Sequence, residues 1–138
     1  MKTVNAVIIL VAFAALGTIY PRQAVAVADA LLPAEVCTVL EVADCTGLTE
    51  SSVNAQYHDL NGDGTKELLL VYGGGSCGSR YHVFALSRAL KWTSIGGWCG
   101  CEDGVFRVRR TSHNGYRDIE TCGVSGFFNG KQYIGRRQ

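Results

Sequence analysis

Apolar and polar positions divide the chain into three stretches. The first carries a single positive charge in Met1-Lys2-Thr3-Val4-Asn5, then the apolar run Ala6 to Ala15, then small residues at Ala24-Val25-Ala26 and Ala28-Asp29-Ala30. That order predicts a cleavable secretory signal over residues 1–30. The apolar run ends near Pro21 and Arg22, short of the ~20 residues that span a bilayer, so no permanent membrane span is expected after cleavage. In the second stretch, Pro33 through Ala43, the apolar residues Val36, Val39, Leu40 and Ala43 recur at helical spacing behind a proline and an early glutamate. The spacing predicts one short amphipathic helix. Asp44 to Ser52 is rich in Thr, Ser and Gly and reads as a loop, after which the period becomes that of strands.

In the third stretch, Leu68-Leu69-Leu70-Val71-Tyr72 is a continuous apolar run ended by Gly73-Gly74-Gly75, the pattern of a strand covered on both faces. Strands are also predicted at Tyr81 to Leu86, Lys91 to Ile95, Val105 to Arg109 and Tyr116 to Cys122. Phe127 to Ile134 reads as a hairpin around Asn129-Gly130. These elements predict a single α+β domain over residues 31–138. One short N-terminal helix packs on an antiparallel sheet of about six short strands, stapled by disulfides.

All six cysteines, Cys37, Cys45, Cys77, Cys99, Cys101 and Cys122, lie beyond the leader. An even count in a short exported chain implies a disulfide framework and an oxidising compartment, periplasmic or extracellular. Zinc fits poorly, because Cys99-Gly100-Cys101 is tighter than a C-x-x-C knuckle and no second pair matches it. Cys99 and Cys101 are poorly placed to bond each other across one glycine. They are expected to reach different partners, with Cys77 and Cys122 as candidates, which leaves Cys37 with Cys45. Loss of Lys2, Arg22 and Asp29 with the leader brings the thirteen basic and twelve acidic residues to balance. A neutral domain is not a nucleic-acid binder, whose affinity rests on a basic excess.

The most specific string is Asp59-Leu60-Asn61-Gly62-Asp63-Gly64-Thr65-Lys66-Glu67. Oxygen-bearing side chains alternate, glycines allow a sharp turn, and a carboxylate closes the loop, which is the hard-oxygen pattern that calcium takes. An EF-hand would carry a bidentate glutamate where this chain has Leu70, and would lead into a helix. The string resembles the calcium loops of FG-GAP and VCBS-type repeats over about fifteen residues. That resemblance implies Asp59, Asn61, Asp63, Thr65 and Glu67 as calcium ligands in a loop joining two strands. The alternative is an Asn-Gly/Asp-Gly turn that needs no ion. The order of this loop, the turn at Gly73 to Ser79, the Lys91-Trp92 strand and the terminal hairpin is also similar to small exported bacterial proteins. This second resemblance implies a fold and a compartment but no activity.

Catalytic signals are sparse. His58, His82 and His113 accompany no recognisable nucleophile motif, and Gly73 to Ser79 lacks the Gly-Lys-Ser/Thr ending of a phosphate loop. No enzymatic constellation and no organic cofactor are therefore expected. Arg107, Arg109, Arg110 and Arg117, with Arg136 and Arg137, give a neutral molecule one cationic side. This is either a solvated strand surface or a docking surface, with Arg107, Arg109, Trp92 and Trp98 as the partner-binding candidates. Two functional expectations follow. One is a small exported binding protein, an inhibitor or immunity-type protein acting on an envelope enzyme. The other is a calcium-stabilised extracellular or surface binding module.

Overall fold

A computed structural model describes residues 31–40, 48–50, 53–73 and 75–137. The expected signal over residues 1–30 lies outside them. The helix α1 covers Ala34–Val39, with Pro33 at its N-cap and the Thr38 hydroxyl donating to the Glu35 carbonyl. It is shorter than the predicted Pro33 to Ala43, of which residues 41–43 lie outside the described set.

Eight strands follow among the described residues, where about six were expected: β1 (Ala55–His58), β2 (Glu67–Gly73), β3 (Ser79–Leu86), β4 (Trp92–Gly100), β5 (Phe106–His113), β6 (Tyr116–Thr121), β7 (Val124–Phe128) and β8 (Tyr133–Arg137). The protein is mostly β, with a single short helix among the described residues. All eight strands form one sheet in the order β1-β2-β3-β4-β8-β7-β6-β5. Each half is a four-stranded antiparallel meander. The halves meet where β4 pairs with β8 in parallel through Gly96 and Tyr133, so the sheet is not wholly antiparallel as expected.

Two cores explain the apolar run of β2. Successive side chains of a strand point to opposite faces. Leu68 and Leu70 enter one core with Val36 and Leu40 of the helix segment and Phe84 of β3. Leu69 and Val71 enter the other with Tyr81, Val83, Trp98, Ile119 and Tyr133. The helix thus covers one face of the first meander, and the curled second meander covers the other. Curling also brings the two ends of the sheet together, with His58 of β1 edge-on to Phe106 of β5 at 5.9 Å between ring centroids.

Glycine positions account for the added length of β4. Gly96 and Gly97 look like a strand end, but a Cβ on Gly96 would run into the Tyr133 backbone where β4 meets β8, and its φ of +117° disfavours other residues. In the second meander the register aligns Ile119, Gly126 and Gly135 across β6, β7 and β8. Side chains at Gly126 or Gly135 would collide with the Trp98 ring system. The bare backbone lets the indole lie beneath these strands, stacked on Tyr81 at 5.4 Å.

Two disulfides join described residues: Cys77–Cys99 within the first meander, and Cys101–Cys122 between the end of β4 and the end of β6. Cys99 and Cys101 thus reach different partners, at Cα separations of 5.4 and 5.5 Å. Cys37 is also disulfide-bonded. The expected partner, Cys45, lies outside the described residues. These bonds fit an oxidising compartment. No helix among the described residues is long and apolar enough to cross a membrane.

Candidate functional site

The acidic loop connects β1 to β2 and is organised by its own side chains. Asp59 accepts hydrogen bonds from the Gly62 and Gly64 amides at 2.7 and 3.1 Å. Asn61 Oδ1 accepts from the Asp63 amide at 2.9 Å, and Asp63 Oδ1 from the Thr65 amide at 2.7 Å. The bond from Thr65 is the largest influence holding the Asp63 carboxyl below its usual range. Glu67 closes the loop from within: it is 2% exposed, and its Oε2 accepts from the Leu60 amide at 2.8 Å. Burial raises the Glu67 pKa, and the negative charges of Asp63 and Asp59 raise it further. Leu60 sits in the core, and its carbonyl accepts from the Arg117 amide at 2.8 Å. The loop therefore pins the first meander to β6 of the second. Among the described residues no three His, Cys, Asp or Glu side chains are gathered to hold a metal ion. Asp59, Asn61, Asp63, Thr65 and Glu67 share one loop, but backbone amides occupy oxygens of the three carboxylates and of Asn61.

The histidines occupy separate places. His58 and His82 have pKa values lowered chiefly by burial, then by the positive charges of Lys66 and Arg80 respectively. The His82 Nε2 lies 2.9 Å from the Ser94 hydroxyl and the ring stacks on Phe84 at 5.1 Å. Among the described residues no carboxylate hydrogen-bonds to His82. His113 Nδ1 lies 2.7 Å from Asp118 Oδ1 on the outer face of β5 and β6.

The four partner-binding candidates are not brought together. Trp98 is a core residue, 8% exposed, and is not available as a surface anchor. Trp92 packs against Tyr57 at 6.0 Å on the side covered by the helix. Arg107 and Arg109 lie on β5, separated from β4 by three strands in the sheet order.

Around these arginines the structure builds a face that the sequence shows only in part. Cross-strand partners share a face of the sheet. The register aligns Arg107, Glu120, Ser125 and Arg136 in one row across β5, β6, β7 and β8. Because the neighbouring row of Ile119, Gly126 and Gly135 faces Trp98, this row faces solvent. Arg109 Nε pairs with Glu120 Oε2 at 3.3 Å. The Arg136 guanidinium lies over the Phe127 ring, 4.6 Å from its centroid. A groove of about 270 Å³ opens here, with Arg109, Thr111, Ser125, Phe127, Arg136 and Arg137 among its lining. Phe127 is the aromatic residue that sequence reasoning missed. Its signal was the Asn129-Gly130 turn, which sets Phe127 opposite Ile134 and diagonal to Arg136. Such an arrangement of guanidiniums, hydroxyls and one ring suits recognition of anionic groups. No family model, curated protein or solved structure matches the chain.

Proposed function

We propose that this chain is a small exported binding protein that docks on an envelope protein through the outer face of β5 to β8, as an inhibitor or immunity-type protein does. The observation that carries this reading is the solvent-facing row on that face. Arg107, Arg109 and Arg136 gather there, and Glu120 is the acid that pairs with them among the described residues, on a domain whose charges balance overall once the expected leader is removed. Arginine that is presented in rows beside an aromatic ring is the residue type that anchors protein interfaces. Behind this face Trp98 packs under Gly126 and Gly135, and Cys101–Cys122 ties the end of β6 to the end of β4. The reading is tested by passing envelope extract over the purified oxidised domain. A stable 1:1 complex retained by the wild type and lost with Arg109→Glu/Arg136→Glu supports it. A complex indifferent to the two charge reversals overturns it.

A second reading, a calcium-stabilised module, is favoured by Glu67. This nearly buried carboxylate stands under two further acids, Asp59 and Asp63, whose like charge a bound cation would relieve. The donors are hard oxygens and so fit calcium in kind. Asp59, Asn61, Asp63, Thr65 and Glu67 would hold the ion, which would fix the turn between β1 and β2. Melting with millimolar calcium and with EDTA tests it. A rise of several degrees supports the ion, and coincident curves remove it.

A further inference from the structure

We propose that the free edge of β5 is a strand-addition site for an extended, acidic segment of a partner protein. This inference rests on the binding-protein reading above and specifies how the partner is held. Strand β5 ends the sheet, and among the described residues no strand pairs with its outer side; His58 of β1 lies against Phe106 at one end, so the open stretch is Arg107 to His113. In an antiparallel ladder alternate residues direct N–H and C=O away from the paired neighbour, and such a row templates another strand. The other terminal strand, β1, has only four residues, whereas β5 has eight, and Arg109 to His113 are exposed without interruption. The register with β6 shifts between Val108 and Ser112. A cavity of about 540 Å³ runs along the same stretch, lined by the consecutive residues Arg107 to Thr111.

Charge selects the occupant. Arg107, Arg109 and Arg110 lie along the edge, and only Arg109 has an ion-pair partner among the described residues, Glu120. A second copy of this edge would set arginines against arginines, which disfavours self-pairing, while an acidic strand meets complementary charge. One apolar feature fixes the end of the segment. Val105 is 64% exposed beside Phe106, at a cavity of about 470 Å³ that reaches Thr121 and Gly123. The occupant is thus an extended segment with acidic residues facing Arg107 to Arg110 and an apolar residue beside Val105. Backbone hydrogen bonds supply the register and the side chains the selectivity.

The experiment titrates the purified, oxidised exported protein with an acetylated seven-residue peptide that alternates valine and glutamate, followed by amide NMR. A second peptide is N-methylated at every other residue. The expected result is that the first peptide shifts amides within residues 106–113. Binding then weakens at least tenfold on N-methylation, and likewise with Arg107→Glu/Arg109→Glu/Arg110→Glu. Equal binding of the two peptides, or shifts confined to β7 and β8, overturns strand addition. Absence of peptide binding while the envelope complex still depends on Arg109 and Arg136 overturns the edge site alone. An envelope complex indifferent to those arginines overturns the docking face beneath it as well.

Discussion

Removing the Cys101–Cys122 bond tests the mechanical role of the staple between the two meanders. The bond closes a loop of sequence separation 21. Cross-linking a loop of that length removes enough unfolded-state entropy to stabilise by about 3 kcal/mol. Cys122 is exposed and Cys101 half-buried, so Cys101→Ala/Cys122→Ala sacrifices little packing and leaves no unpaired thiol from this pair. For a domain of this size the loss lowers the melting temperature by on the order of 15 °C. Cys77→Ala/Cys99→Ala opens a loop of nearly the same separation, 22, and has a similar expected cost. The two variants should differ in where the structure loosens. Cys77–Cys99 lies within a meander already laddered by β3 and β4, whereas Cys101–Cys122 reinforces halves whose strand ladder is the Gly96–Tyr133 pair, helped by the Leu60 to Arg117 bond. Denaturant unfolding gives the total, and hydrogen exchange gives its distribution, with faster exchange in β6 and β7 expected for the first variant. A loss below about 1 kcal/mol, or exchange raised equally in β2 and β3, would refute this division of roles.

Other consequences concern burial and pH. Glu67 has its pKa raised in the folded state above the ordinary 4.5, so between that value and its folded pKa the native state binds more protons than the unfolded chain. Stability therefore falls as pH rises through this window. Glu67→Gln should flatten that fall relative to wild type in denaturant titrations from pH 4 to 7, and an unchanged slope would exclude Glu67 as its source. Gly126→Ala forces a methyl group into the Trp98 ring and should cost about 1 to 3 kcal/mol, with a change in tryptophan fluorescence that Gly123→Ala does not produce. Tyr133→Phe removes the hydroxyl that donates to the Arg117 carbonyl at 2.7 Å. It should cost about 1 kcal/mol in urea unfolding, and a neutral result would show that water satisfies that carbonyl.

Sequence pattern revealed individual elements better than their assembly. The two-sided burial of Leu68 to Val71 was readable because both alternating positions are apolar. The Asn129-Gly130 hairpin was readable because its turn requires Gly130 at φ +98°. Strand β1 was readable only as the strand that leads through His58 into the acidic loop and not by its bounds, since Ala55-Gln56-Tyr57-His58 carries little apolar alternation. Pattern also misplaced Trp98 on the surface, because its burial depends on Gly126 and Gly135, residues from the far hairpin that register alone brings over the ring. The same long-range register assembles Arg107, Glu120, Ser125 and Arg136 into one row, which no local window contains.

The docking face is tested by placing a photo-cross-linking residue at Thr111, exposed at the edge of the groove, and in a control at Leu90, exposed in the turn between β3 and β4. Irradiation of the oxidised protein mixed with envelope extract should give one dominant protein adduct from position 111, lost with Arg109→Glu/Arg136→Glu. The same adducts from position 90, or none from position 111, would contradict a partner held on the β5 to β8 face.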